Sequence, residues 1–180
     1  MRGLPSIDRV FRGLLAGAVL VSVIAGQMTP VLGGAMANDP KGFREIPWGV
    51  KLSDVSALDV FRSGLHIVDY VFKDGPPTYA DTPVESVHLS AVDDQFARVT
   101  IRYRGEHTHK QVLAFLERTY GAVERIPGQM TRGLNQQYNW RGPETEINLT
   151  YEANLDRGFV FIESRTLSPR FHDHITDSAE

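Results

Sequence analysis

"VESVHLSAVDDQFARVTIRYR", residues 84–104, alternates apolar and polar side chains on both sides of an Asp-Asp-Gln turn. Successive side chains of a strand point to opposite faces, so alternation of this kind marks a strand with one buried face. Two such runs around a short polar turn read as a β-hairpin, 84–92 and 96–104, closed by Asp93, Asp94 and Gln95. Val99, Ile101 and Tyr103 then face a core, while Arg98, Arg102 and Arg104, with Thr100, face away. A loop at 93–95 sets Ser90 opposite Arg98, His88 opposite Thr100 and Ser86 opposite Arg102.

Downstream, "HTHKQVLAFLERTYG" (107–121) predicts a helix. Thr108 is placed to cap it and Gln111 to complete a capping box. Val112, Phe115, Leu116 and Tyr120 form its apolar stripe, and Gly121 ends it. After a Pro/Gly-punctuated connector, 122–136, three strands are expected at 137–141, 146–152 and 158–167, with "GPET" and "ANLDRG" as turns. Upstream, 65–73 reads as a strand, and 74–83, with its three prolines, as a loop. A first helix is expected at 53–63, from a Ser53 cap, apolar spacing at Val55, Leu58 and Phe61, and a Gly64 stop. "GFREIPWGV" (42–50) reads as a short edge strand or arm anchored by Trp48. The expected class is α+β: an antiparallel sheet with two helices packed on one face, the order α-β-β-β occurring twice. Residues 168–180 are expected to be a polar flexible tail, and 38–167 one domain.

The N-terminus reads as a targeting segment. Arg2, Arg9 and Arg12 precede "LLAGAVLVSVIAG" (14–26), thirteen uncharged residues, too few for the roughly 20 of a permanent span. Ala35 and Ala37 supply an A-x-A cleavage pattern, so residues 1–37 are expected to be a signal peptide cut after Ala37, and the protein periplasmic or secreted. Retention of the segment as an anchor is the alternative. The cut removes three arginines and one aspartate and moves the formal net charge from −3 to −5. That balance disfavours binding to nucleic acid, which relies on Lys and Arg against phosphates. The chain has no cysteine, which excludes disulfides, thiolate metal sites and a cysteine nucleophile.

The phrase "FREIPWG" (43–49), followed in order by "VTIRYRG", "FLERTYG", "YNW" and "INLTY", resembles a family of small exported bacterial proteins that open with F-R-x-I-x-W-G. The resemblance spans 42 to about 167. It implies an exported α+β protein and transfers no catalytic residue.

Candidate chemistry is sparse. Arg98, Arg102, Arg104 and His88 share the outward face of the hairpin and suit an anionic group, since guanidinium forks grip carboxylates and phosphates. A solvated sheet face with outward Glu146, Asn148, Thr150 and Glu152 as partners accounts for the same residues. The pairs His107/His109 and His172/His174 lack a third ligand dictated by spacing and read as surface histidines. Trp48, Tyr138 and Trp140 read as core aromatics. No G-x-S-x-G, H-E-x-x-H or phosphate-loop motif occurs. The expectation is a non-catalytic exported module that binds an envelope protein or a small anionic ligand, without cofactor, metal, nucleic acid or, after processing, a membrane span. An envelope enzyme centred on His88 and the Arg98/Arg102 face is the alternative.

Overall fold

The computed structural model of the chain describes residues 36–123 and 134–177. Most of the signal segment expected at 1–37, and most of the connector, lie outside the described residues. Seven strands form one antiparallel sheet: β3 (Leu58–Ser63), β4 (Ile67–Phe72), β7 (Ser86–Val92), β8 (Gln95–Arg104), β9 (Asn135–Arg141), β10 (Thr145–Glu152) and β11 (Arg157–Ser164). Their order is β3-β4-β7-β8-β11-β10-β9. Two hairpins of two-residue strands stand apart, β1 (Gly42–Phe43) with β2 (Ile46–Pro47) and β5 (Thr78–Tyr79) with β6 (Thr82–Pro83).

The α+β class with an antiparallel sheet is what the residues build, but the helices differ from expectation. The segment 53–63 is not a helix. Leu52–Asp54 forms one 3-10 turn and Leu58–Ser63 pairs with β4 as the edge strand β3. The helical spacing of Val55, Leu58 and Phe61 was coincidental, because only Leu58 of that strand is buried and no apolar stripe exists to drive a helix. The long helix is present as α1, Glu106–Tyr120, starting two residues before Thr108 and ending at Gly121 with φ 97°. Its buried residues are His109, Val112 and Leu116.

The expected tail is a second helix, α2 (Ser168–Asp177). Leu167 and Phe171 are buried with Val92 and Ala97, and Ile67 packs against them. This small core lies on the outward face of the sheet, since the Phe171 ring sits 4.0 Å from the Arg98 guanidinium carbon. The two helices therefore cover opposite faces rather than one. The main core lies under α1 and gathers Leu89, Val99, Ile101, Ile147, Leu149 and Val160, with Tyr138 and Trp140 inside it as read from sequence. No helix among the described residues is long and apolar enough to cross a membrane.

The central hairpin keeps the expected pairs, Ser90 with Arg98, His88 with Thr100 and Ser86 with Arg102. It does so by a different route. Val92 pairs with Gln95 across a two-residue turn, Asp93 and Asp94, whose φ values are 45° and 70°. A bulge between Ser90 and Ala91 then inserts one residue in β8 and restores the register that a three-residue loop would give.

The N-terminal end of the described chain is tied into the C-terminal half. Met36 is buried in the main core, the Ala37 amide donates to the Tyr120 carbonyl at 2.9 Å, and the Asn38 side chain donates to the Thr119 carbonyl at 3.0 Å. The Asp39 carboxylate accepts from the Glu144 amide at 2.7 Å and the Thr145 amide at 3.3 Å. Desolvation is the largest single influence on its pKa and acts upward, but hydrogen bonds from the Thr145 side chain and the Glu144, Lys41 and Thr145 amides together outweigh it and hold the pKa below the ordinary value.

Candidate functional site

Residues 40–47 form one wall of a recess. In the β1–β2 hairpin the two turn residues, Arg44 and Glu45, carry φ values of 46° and 68°. In the β5–β6 hairpin Ala80 and Asp81 carry 54° and 56°. Left-handed backbone at both central positions is the geometry of a tight hairpin turn, and it strains any residue with a Cβ. Four non-glycine residues therefore hold two facing turns in a sparsely populated conformation around one space.

That space is about 630 Å³ and is lined by both hairpins and by Phe115 and Tyr120 of α1. Its walls are aromatic. Tyr79 stacks at 6.3 Å from Phe43 and meets Phe115 edge-on at 5.4 Å. Tyr79 is 7% exposed, and its hydroxyl has no hydrogen-bond partner among the described residues. Burial pushes the Tyr79 pKa up, with Tyr120 adding to the effect, so this hydroxyl keeps its proton and remains a donor. A buried unmet hydroxyl costs about 1–3 kcal/mol. Arg44 tethers the two hairpins by donating to the Thr78 carbonyl at 2.5 Å, with its guanidinium carbon 4.9 Å from the Phe72 ring centre. Lys41, Arg44, Glu45 and Asp81 give the rim charges of both signs.

The arginine face is differently disposed from its sequence reading. Arg98 is not a free surface cation: its side chain is 12% exposed, pairs with Glu163 at 2.7 Å and stacks on Phe171. Burial lowers its pKa, against the opposing pull of Glu163. A recess of about 380 Å³ beside it is also lined by Glu146 and Glu163, which makes it a poor seat for an anion. Arg104 donates to Glu85 at 2.6 Å on the surface. Arg102 is exposed, lies 5.9 Å from the Phe159 ring centre and has no carboxylate partner among the described residues. His88 is half-buried with Phe61 tilted against it at 4.4 Å, and lines a smaller recess of about 180 Å³. Burial lowers the His88 pKa, Arg102 and Arg62 reinforce the shift and Asp69 opposes it, so the ring is neutral at pH 7. The four residues thus share a face, but two have their charges neutralised by glutamates.

Ser90 and Asp69 stand on that same face without forming a nucleophile–base relay. The buried Ser90 hydroxyl donates directly to Asp69 Oδ1 at 2.6 Å, and Arg62 holds Asp69 Oδ2 through Nε at 2.9 Å and its terminal nitrogen at 2.6 Å. No imidazole lies between serine and carboxylate, which is the arrangement general-base activation requires.

The histidine pairs separate. His109 is buried, not exposed: its ring stacks on Tyr151 at 4.2 Å, Nδ1 lies 2.8 Å from the Tyr103 hydroxyl and Nε2 lies 3.3 Å from Gln136 Oε1. Its position three residues before Val112 and seven before Leu116 places it on the helix's apolar stripe, a signal that the sequence carried. His172 approaches Arg98 and Glu163, whereas His174 lies beside His66 and Asp93.

Comparison with models of protein families, with curated proteins and with solved structures gives no match.

Proposed function

We propose that the chain is an exported, non-catalytic binding module, and that its ligand is a small, mainly apolar molecule held in the recess between the two minor hairpins. The observation that carries this reading is the recess itself: about 630 Å³ of space walled by Phe43, Tyr79, Phe115 and Tyr120. Ligand sites are concave, mostly apolar and span roughly 300–1,000 Å³. Three further features support it. The walls are held by tight hairpin turns rather than long loops, which keeps the space preformed. The charged rim carries both signs, so it favours no strongly charged ligand. The unmet Tyr79 hydroxyl offers a donor to a ligand whose entry shifts the β5–β6 hairpin slightly.

The test is titration with indole, an apolar probe of suitable size, followed by amide chemical shifts. Shifts are expected at Phe43, Tyr79, Phe115 and Tyr120, saturating in the millimolar range or below. Thr78 is exposed on the rim, so Thr78→Trp fills the recess on a strand that accepts an aromatic residue. This variant is expected to keep its melting temperature and weaken the probe at least about tenfold, one decade being about 1.4 kcal/mol. Shifts scattered over the surface, or undiminished binding in Thr78→Trp, would defeat the proposal.

A further inference from the structure

We infer that His66, Asp93 and His174 form a binding site for a divalent transition-metal ion of the kind imidazole prefers, with Zn²⁺ as the type case. The three residues come from separate parts of the chain: the β3–β4 turn, the β7–β8 turn and α2. Each offers a ligand atom, and these atoms all lie within 4.8 Å of one another. His66 Nδ1 is 2.9 Å from Asp93 Oδ1, and His174 Nε2 is 3.6 Å from Asp93 Oδ2. In a tetrahedral site with bonds near 2.0–2.1 Å, ligand atoms stand about 3.3 Å apart. The shifts needed to reach that geometry are about 1.5 Å or less, within the reach of side-chain rotation at two partly exposed histidines.

The supports of the site are firm. The Asp93 amide donates to the His66 carbonyl at 2.8 Å, which locks the two turns together. The helix that carries His174 is anchored by Leu167 and Phe171 in the small core. Arg170 donates to Asp93 Oδ2 at 2.6 Å and to Gln95 Oε1 at 2.8 Å. It thereby turns the other oxygen, Oδ1, towards His66, as the outer partners of a ligating carboxylate commonly do. The same positive charge opposes a cation, so a moderate affinity is expected rather than that of a structural zinc site.

The chemistry of the set is selective. Two imidazoles and a carboxylate, without thiolate, suit zinc, copper or nickel and are ill matched to magnesium or calcium, which take oxygen ligands. The rings of His66 and His174 are stacked with centroids 4.0 Å apart and planes 4° from parallel. Binding requires the rings to turn out of the stack so that their lone pairs converge. Three protein ligands leave coordination positions for water or an exogenous group.

The experiment is calorimetric titration of the metal-free chain with Zn²⁺, with Mg²⁺ in excess as competitor. One ion per chain is expected, with a Kd between about 1 µM and 1 mM. His66→Ala and His174→Ala should each weaken binding at least about tenfold, while His172→Ala, two residues away on the same helix, leaves it unchanged. The circular dichroism of each variant reports whether it still folds. Proton NMR of the histidine rings supplies a second readout: the His66 and His174 signals shift with zinc and the His109 signals do not. Absence of saturable binding, displacement by Mg²⁺, or equal losses in all three histidine variants would each overturn the site. None of these outcomes depends on the aromatic recess, which lies among other residues.

Discussion

The imidazole of His109 shows how one side chain can be fixed by its neighbours. Gln136 Oε1 only accepts, so Nε2 carries the hydrogen, and Nδ1 is left to accept from the Tyr103 hydroxyl. The Tyr138 hydroxyl donates to the same Gln136 oxygen at 2.9 Å. A second proton on the ring would reverse the Tyr103 bond, leaving that hydroxyl's own hydrogen without its acceptor, and would put a charge in a buried site. Burial accordingly lowers the His109 pKa, and Lys110 adds to this against Gln136 and Glu106. An unfolded chain takes up the proton near the ordinary value of 6.5, and the folded chain only at lower pH. Stability is therefore full above about pH 6.5 and falls as pH drops towards the folded-state value, below which the loss levels off. His88 shifts in the same direction and adds to the slope. Denaturant titrations from pH 7.5 to 5 should show this decline. His109→Gln, which stays neutral, should remove up to about one proton from the slope. An unaltered slope would mean that the ring is not held neutral. The neighbouring Gly158 is explained by the same network. A Cβ there would fall inside the Tyr103 ring, which lies across the glycine from the paired strand.

At the scale of elements, α2 is a small helix with a disproportionate task, since it covers the Arg98 side chain and leaves it only 12% exposed. Phe171→Ala removes the ring on which that guanidinium rests and opens the small core. A loss of about 3 kcal/mol in unfolding free energy is expected, the lower end for deletion of a buried phenylalanine. A change below about 0.5 kcal/mol in chemical denaturation would show that α2 does not dock. Much of the element order was legible in the sequence. The strands of the central hairpin were readable from their alternation around acidic turn residues, though the two-residue turn and its compensating bulge were not, and α1 was readable because its stripe and its terminal glycine agree. Two elements escaped for different reasons. The edge strand β3 buries one residue of six, so burial imprints almost no period on it. The helix α2 was hidden by its polarity, although Ser168-Pro169 is a familiar helix start and Leu167, Phe171 and Ile175 recur every four residues. The metal-ligand set was illegible because His66 and Asp93 join His174 only through the register of two turns and the docking of that helix. The arginine stripe was visible, but its glutamate partner Glu163 lies on β11, and sequence separation conceals that pairing.

For the whole molecule, the sheet order among the described residues ends in two edge strands, β3 and β9, and the Met36 amide donates to the Arg141 carbonyl at the end of β9. On β3, Val60 is 59% exposed and Phe61 58%. Unpaired strand edges carrying apolar side chains template association, and the bulge beside Phe61 is only a partial guard. Val60→Lys is expected to lower concentration-dependent light scattering severalfold while changing stability by less than about 0.5 kcal/mol. Scattering that is unchanged would place self-association elsewhere. The interlacing of residues 36–39 with the end of α1 and the β9–β10 turn bears on the timing of the cut expected after Ala37. In the folded chain, the bond after Ala37 is stitched down on both sides and offers a protease no extended substrate. A cut at the position expected from the sequence would have to come while the polypeptide is still threading, and it would forfeit Met36 as a wedge in the interior. A chain that folded first would be sealed against such a cut.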